Sequence, residues 1–322
     1  MESSNSSRRS TPKPLPESRV DQFLQQLING LALGSIYALT ALGYTMVYGV
    51  LGFINFAHSD VMMLGAFAAY YAAGPVSRVF PHESIAGALV VLIVSAAICA
   101  VIGMLIEFLA YRPLRHRPNL AVLITAIGVS LFIEFTCQHP AVFGAETRPF
   151  PKLIPQRDFH TGPLSINSND IAALVATVLC LAGLWFIVQR TRIGTAMRAV
   201  SFNREASSLM GINVNRVISF TFALGSALAA VAGVFYSMRA QGIDPLMGTQ
   251  PGLRAFTAAV LGGIGNLPGA ALGGFLLGLI ETFAGGMPGV SNYRDGVACA
   301  ILILILLFKP SGLLGRAQVE KV

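Results

Sequence analysis

Charged and polar side chains are scarce in this chain, and those that could do chemistry fall in a few places. The densest is Gln189 to Arg216, where Arg190, Arg192, Arg198, Arg204 and Arg216 face the single acid Glu205. That composition suits charge-assisted contact with an acidic surface more than it suits catalysis. A second group is Asn55, His58 and Asp60 inside an apolar stretch. A His near an Asp is the pattern of a proton relay, but two residues apart on a regular helix they point to different sides. Asn266 interrupts another apolar run and, like Asn55, either offers hydrogen bonds along a path or caps freed backbone. Glu107, Glu134 and Glu281 complete the set; Glu107 lies where it can pair with Arg112 or Arg115.

Several chemistries are absent. His82-Glu83 lacks the second His of a zinc-binding H-E-x-x-H, and no metal constellation is present. No G-x-S-x-G elbow supports a hydrolase. No G-x-x-x-x-G-K-[ST] phosphate loop exists, so the chain does not hydrolyse ATP by itself. Cys99, Cys137, Cys180 and Cys299 sit in or beside apolar runs with no C-x-x-C pair, as small embedded side chains do.

The elements that must position these residues are membrane spans. Of 322 residues, 54% are apolar and 11% charged, against roughly a quarter charged in soluble domains. Several runs reach the roughly 20 residues that cross a bilayer. The fold class expected is all-α, a polytopic membrane bundle of about eight spans with broken or re-entrant helices. The formal charge of +7 is concentrated in loops and tails, and aromatics are not interleaved with it. It therefore marks topology and membrane lipid, and no nucleic acid is expected.

The first twenty residues, with Arg8, Arg9, Lys13 and Arg19, read as a polar disordered tail. A transmembrane domain covers residues 21–310, with the basic loop at about 189–216, and 311–322 form a cytoplasmic C-terminal tail. A span over Leu27–Val50 is followed by Leu51–Ala73, whose polar centre predicts a broken helix facing the bundle interior. Spans over Ile85–Ala110 and Leu120–Cys137 flank the basic turn Arg112–Arg117. The hydrophilic stretch 138–170 lies outside. Arg254–Phe283 is glycine-dense and broken at Gly262-Gly263, Gly265 and Asn266. Gly269 with Gly273, and Gly274 with Gly278, have the spacing of closely packed helices. The likeness of this break to that at Asn55 hints at an internal repeat. Basic loops at 112–117, at 190–216 and after Lys309 all belong inside. The basic N-terminal tail belongs there too, which favours eight crossings with one re-entrant piece; nine would put the tail outside.

Within the basic loop, Asn203 can cap a short helix, Glu205 sits in its first turn and Gly211 can end it. Ala206, Leu209 and Met210 share a face that reads as a docking surface. The order Glu205-Ala206-Ser207, three residues, then Gly211 resembles the Glu-Ala-Ala-x-x-x-Gly coupling loop of ATP-binding-cassette importer permeases, with Ser207 in place of the second Ala. The segments NGLALGSIYALTALGYTMVYGVLGFINFAH, AYRPLR, MGINVNRVISFTFALGSALAAVAGV, AFTAAVLGGIGNLPGA and PSGLLGRAQVEKV resemble the smaller, H-type permease of bacterial branched-chain amino acid importers. Family members often carry Gly-Glu after the FAH triplet; here Ser59-Asp60 stands there.

That resemblance implies a transporter subunit rather than an enzyme, in the bacterial inner membrane. It implies a second, homologous permease, two cytoplasmic ATPases that bind the ATP, a periplasmic binding protein, and no cofactor of the chain's own. It assigns coupling to Arg198, Arg204, Glu205, Ala206, Leu209 and Gly211. The translocation path is expected near Asn55, His58, Asp60 and Asn266. Permeases of the same family for urea, short amides or broader amino acids remain open at this point, as does a transporter or channel acting alone.

Overall fold

The computed structural model describes residues 19–315 apart from 82, 116, 162, 163 and 288. Arg8, Arg9, Lys13, His82, Arg316 and Lys321 lie outside the described residues. Eleven α-helices are described: α1 (Arg19–Leu51), α2 (His58–Ser77), α3 (Ile85–Ile106), α4 (Asn119–Gln138), α5 (Ser168–Arg190), α6 (Arg192–Phe202), α7 (Arg204–Leu209), α8 (Val214–Ala240), α9 (Thr249–Gly262), α10 (Leu267–Gly286) and α11 (Arg294–Phe308). A π turn at Glu107–Tyr111 continues α3. The all-α class holds, and among the described residues six helices are long and apolar enough to cross a membrane: α1, α3 continued to Leu114, α4, α5, α8 and α10.

Burial sorts these helices into a core and a ring. The most apolar window of α1 is 89% buried and that of α8 67%, whereas α3, α4 and α5 are buried over only 17–22% of theirs. Water exclusion does not drive helices together inside lipid, so close approach has to come from small residues. Such residues are where α1 meets α10. A Cβ on Gly34 would lie 2.8 Å from the Cα of Phe275, and one on Gly274 would strike the backbone of Ala38. Helices α2 and α8 cross in the same way, with Gly65 against Ala230 and Gly233 against the Met62 carbonyl. The expected glycine spacing in α10 thus marks its contact with α1 and, through Gly273, with Ala258 and Gly262 of α9.

Both predicted breaks are present. Gly52, with φ +73°, ends α1, and six residues of non-helical chain precede α2. Gly263 (φ +105°) and Gly265 (φ +91°) separate α9 from α10. The second break is closed from outside its own segment: the amides of Leu313 and Leu314 donate to the carbonyls of Leu261 and Gly262 (2.9 and 3.0 Å). Part of the expected C-terminal tail, 311–315, is therefore a strap that satisfies the last carbonyls of α9.

The two ends of α1 are held by different loops. Arg204, in the basic loop, donates to the carbonyl of Leu51, so α1 ends on the side of that loop. At the other end of α1, Gln25 exchanges two hydrogen bonds of 2.9 Å with the backbone of Ser165, in the outer 138–170 stretch. Helix α1 therefore runs from the side of the 138–170 stretch to the side of the basic loop, in the same direction as α5, which joins those two segments. Among the described residues six helices reach the length and hydropathy of a span, and Gly296–Phe308 within α11 is a shorter apolar stretch. The 138–170 stretch contains short strands. It holds β1 (Arg148–Pro149), paired antiparallel with β4 (Gly242–Ile243), and a hairpin of β2 (Asp158–Thr161) and β3 (Leu164–Asn167). Strands of two to four residues carry too little alternation to be read from sequence.

Candidate coupling site

Helix α7 follows from its local sequence. Asn203 is extended (φ −157°), and its side-chain oxygen accepts from the Ala206 amide at 2.9 Å, an N-cap. Glu205 in the first turn meets the positive end of the helix dipole. At the other end the Gly211 amide donates to the Ser208 carbonyl and the Ile212 amide to the Ser207 carbonyl. This is the Schellman arrangement, which needs a left-handed residue at the Gly211 position. Gly211 has φ +83°, and a Cβ there would meet nothing within 4 Å, so backbone conformation alone requires glycine.

The inward and outward faces of α7 differ sharply. Ser207 is buried, its hydroxyl donating to the Asn203 carbonyl at 2.7 Å. This is the position where the family pattern has its second Ala, and only a small side chain fits against the underlying helices. Leu209 is 87% and Met210 83% exposed, with Ala206 and Glu205 exposed beside them. Phe202, the last residue of α6, is 87% exposed as well. Phe202, Leu209 and Met210 are thus large apolar side chains left uncovered at a folded, capped turn.

The two arginines differ in placement. Arg198 is exposed and donates to the Val188 carbonyl and, at 3.3 Å, to Gln189 Oε1. Arg204 is half-buried, and burial holds its guanidinium below its usual pKa. Its bond to the Leu51 carbonyl ties α7 to the C-terminal end of α1 and so to the break before α2. Beside it lies a second link that the sequence pointed to only as a pairing. Glu107 is fully buried and accepts from Arg115 and from Ser219 Oγ (2.5 Å), while Arg115 Nη1 donates to Asn215 Oδ1 (2.6 Å). The π turn that continues α3 and the start of α8 are thereby held together.

The four residues expected along the path are not gathered in one place. Asn55 accepts from the Tyr111 hydroxyl at 2.6 Å and is buried. His58 faces α1, its ring 4.6 Å from that of Tyr44, and neither ring nitrogen has a hydrogen-bond partner. Asp60 faces α4 and accepts from Ser130. Asn266 is a cap: its oxygen accepts from the Gly269 amide (3.3 Å), and its amide donates to Leu314 (2.7 Å). His58 and Asp60 thus point to different sides, as their spacing predicts. Among the described residues no cluster of His, Cys, Asp and Glu could hold a metal.

The protein family described as "Branched-chain amino acid transport system / permease component" matches residues 26–306. The chain belongs to this permease family. The permease is 43% identical over 313 residues, 96% of this chain and 100% of the relative, to the high-affinity branched-chain amino acid transport system permease protein BraD of Pseudomonas aeruginosa. It is 40% identical to LivH of Salmonella typhimurium and 39% to LivH of Escherichia coli K12, each match covering 93% of this chain and 98% of the relative. No solved structure matches significantly. The permease family and the six apolar helices make this a multi-pass membrane protein.

Proposed function

We propose that this chain is a membrane-spanning permease subunit of an ATP-driven importer of branched-chain amino acids in the bacterial inner membrane. Relatives matched over nearly their whole length carry that transport system in their names. The single observation that carries the coupling reading is α7, a capped helix whose Leu209 and Met210 are almost fully exposed while Arg204 grips the end of α1. Separate ATPase subunits bind and hydrolyse ATP, and contact on α7 delivers the resulting movement. Glu205, Ala206, Leu209 and Gly211 form and present the docking surface, and Arg204 transmits the push to α1. Arg198 stands at the edge of that surface. A second, homologous permease completes the pathway, and a periplasmic binding protein presents Leu, Ile or Val at the outer end.

The test is reconstitution of the assembled complex in vesicles. Leucine uptake that requires ATP and the binding protein is expected, and excess urea or a polar amino acid is expected not to compete. Leucine transport by the purified chain alone, without ATP, would overturn the proposal in favour of a self-sufficient transporter.

A further inference from the structure

One buried charged group takes no part in the coupling site. Glu281 of α10, 4% exposed, accepts from the Tyr37 hydroxyl of α1 at 2.8 Å. Arg254 of α9 lies 3.0 Å from Glu281 Oε1 and donates to the same hydroxyl at 3.0 Å. Arg294, at the start of α11, is 3.9 Å from Glu281. Tyr37 lies fourteen residues before Leu51, about 21 Å of helix from the inner end, which is within the depth of the hydrocarbon core.

Charged side chains at that depth face a water-filled cavity or protein rather than lipid. Arg254 retains 21% exposure, and a guanidinium at that depth is expected to face protein or water. The same side exposes Gln250 and the apolar Leu253, which is 61% exposed. Opposite charges 3.0 Å apart, beside an apolar strip, match one class of ligand. An amino acid zwitterion carries a carboxylate for the guanidinium fork, an ammonium for the carboxylate and an apolar side chain for the strip.

We propose that Arg254 and Glu281 form a transient head-group site for a zwitterionic amino acid passing along α9. The inference rests on the importer reading and adds the residues that handle the charged end of the substrate. Because the two residues already neutralise each other, the ligand exchanges into an existing ion pair. Its hold is brief, as onward movement requires.

The decisive experiment compares the assembled importer with its Arg254→Gln/Glu281→Gln double variant in vesicles, measuring leucine uptake and ATP hydrolysis together. A Gln pair removes both charges of the close pair and leaves Arg294, which is 54% exposed, to solvent, so assembly and binding-protein-stimulated ATP hydrolysis are expected to persist. Uptake is expected to fall about ten-fold, the worth of one lost charge-assisted contact. Uptake equal to the parent's would show the pair to be structural only and overturn the inference. Should the double variant not assemble, Arg254→Lys decides, since it keeps the charge but not the fork. A drop in leucine moved per ATP hydrolysed supports the site, and an unchanged ratio overturns it. A parent complex that takes up no leucine would instead overturn the importer reading itself.

Discussion

Trimming the exposed apolar pair of α7, Leu209→Ala with Met210→Ala, tests whether that surface is where force enters. Burying a Leu or Met side chain is worth about 1.5–3 kcal/mol. Leu209 and Met210 are 87% and 83% exposed, so nearly all of that gain is still available to a docking partner. Allowing for the methyl that Ala keeps, the pair loses roughly 2–4 kcal/mol of docking energy, or about thirty- to several-hundred-fold in Kd. The fold itself should be indifferent, because substitutions at exposed sites change stability by within about 0.5 kcal/mol. The assay is titration of purified ATPase subunits onto the permease complex in lipid nanodiscs, with the melting temperature of each variant recorded alongside. Weaker binding at an unchanged melting temperature is expected. A Kd for the double variant that equals the parent's would refute the docking role of α7.

Three further outcomes follow from the geometry. Glu107→Gln leaves Arg115 buried without its counter-charge, so a loss of about 3–5 kcal/mol is expected in thermal or denaturant unfolding, with Arg115→Met partly restoring stability in the double variant. Gly274→Ala forces a methyl into the Ala38 backbone at the α1–α10 crossing, and a destabilisation of roughly 1–3 kcal/mol is expected, against little effect from Gly128→Ala, where there is open space. A cysteine introduced at Gln22, with the native cysteines replaced, should react with a membrane-impermeant thiol reagent added outside, and one at Ser208 only with reagent inside; labelling of Gln22→Cys from the inside alone would contradict the orientation of α1.

Much was legible without coordinates because membrane sequence is strongly constrained by its solvent. Lipid admits few charges and no unpaired backbone, so apolar run length and the placement of arginines announce spans, inner loops and both breaks. Helix α7 was equally legible, since its cap at Asn203, the acid at Glu205 and the turn at Gly211 are local chemistry. Everything that joins distant segments waited for the tertiary structure. That Arg204 is spent on the Leu51 carbonyl, that Asn266 holds the 311–315 strap and that Arg254 meets Glu281 are contacts between residues 48 to 153 positions apart or from separate helices. No periodicity reports them. The direction of α1 relative to α5 was decided in the same way, by Gln25 on Ser165 at one end and Arg204 on Leu51 at the other. Local propensity and hydropathy act within a span, whereas which spans touch, and which way the first one runs, depends on small residues meeting across the bundle.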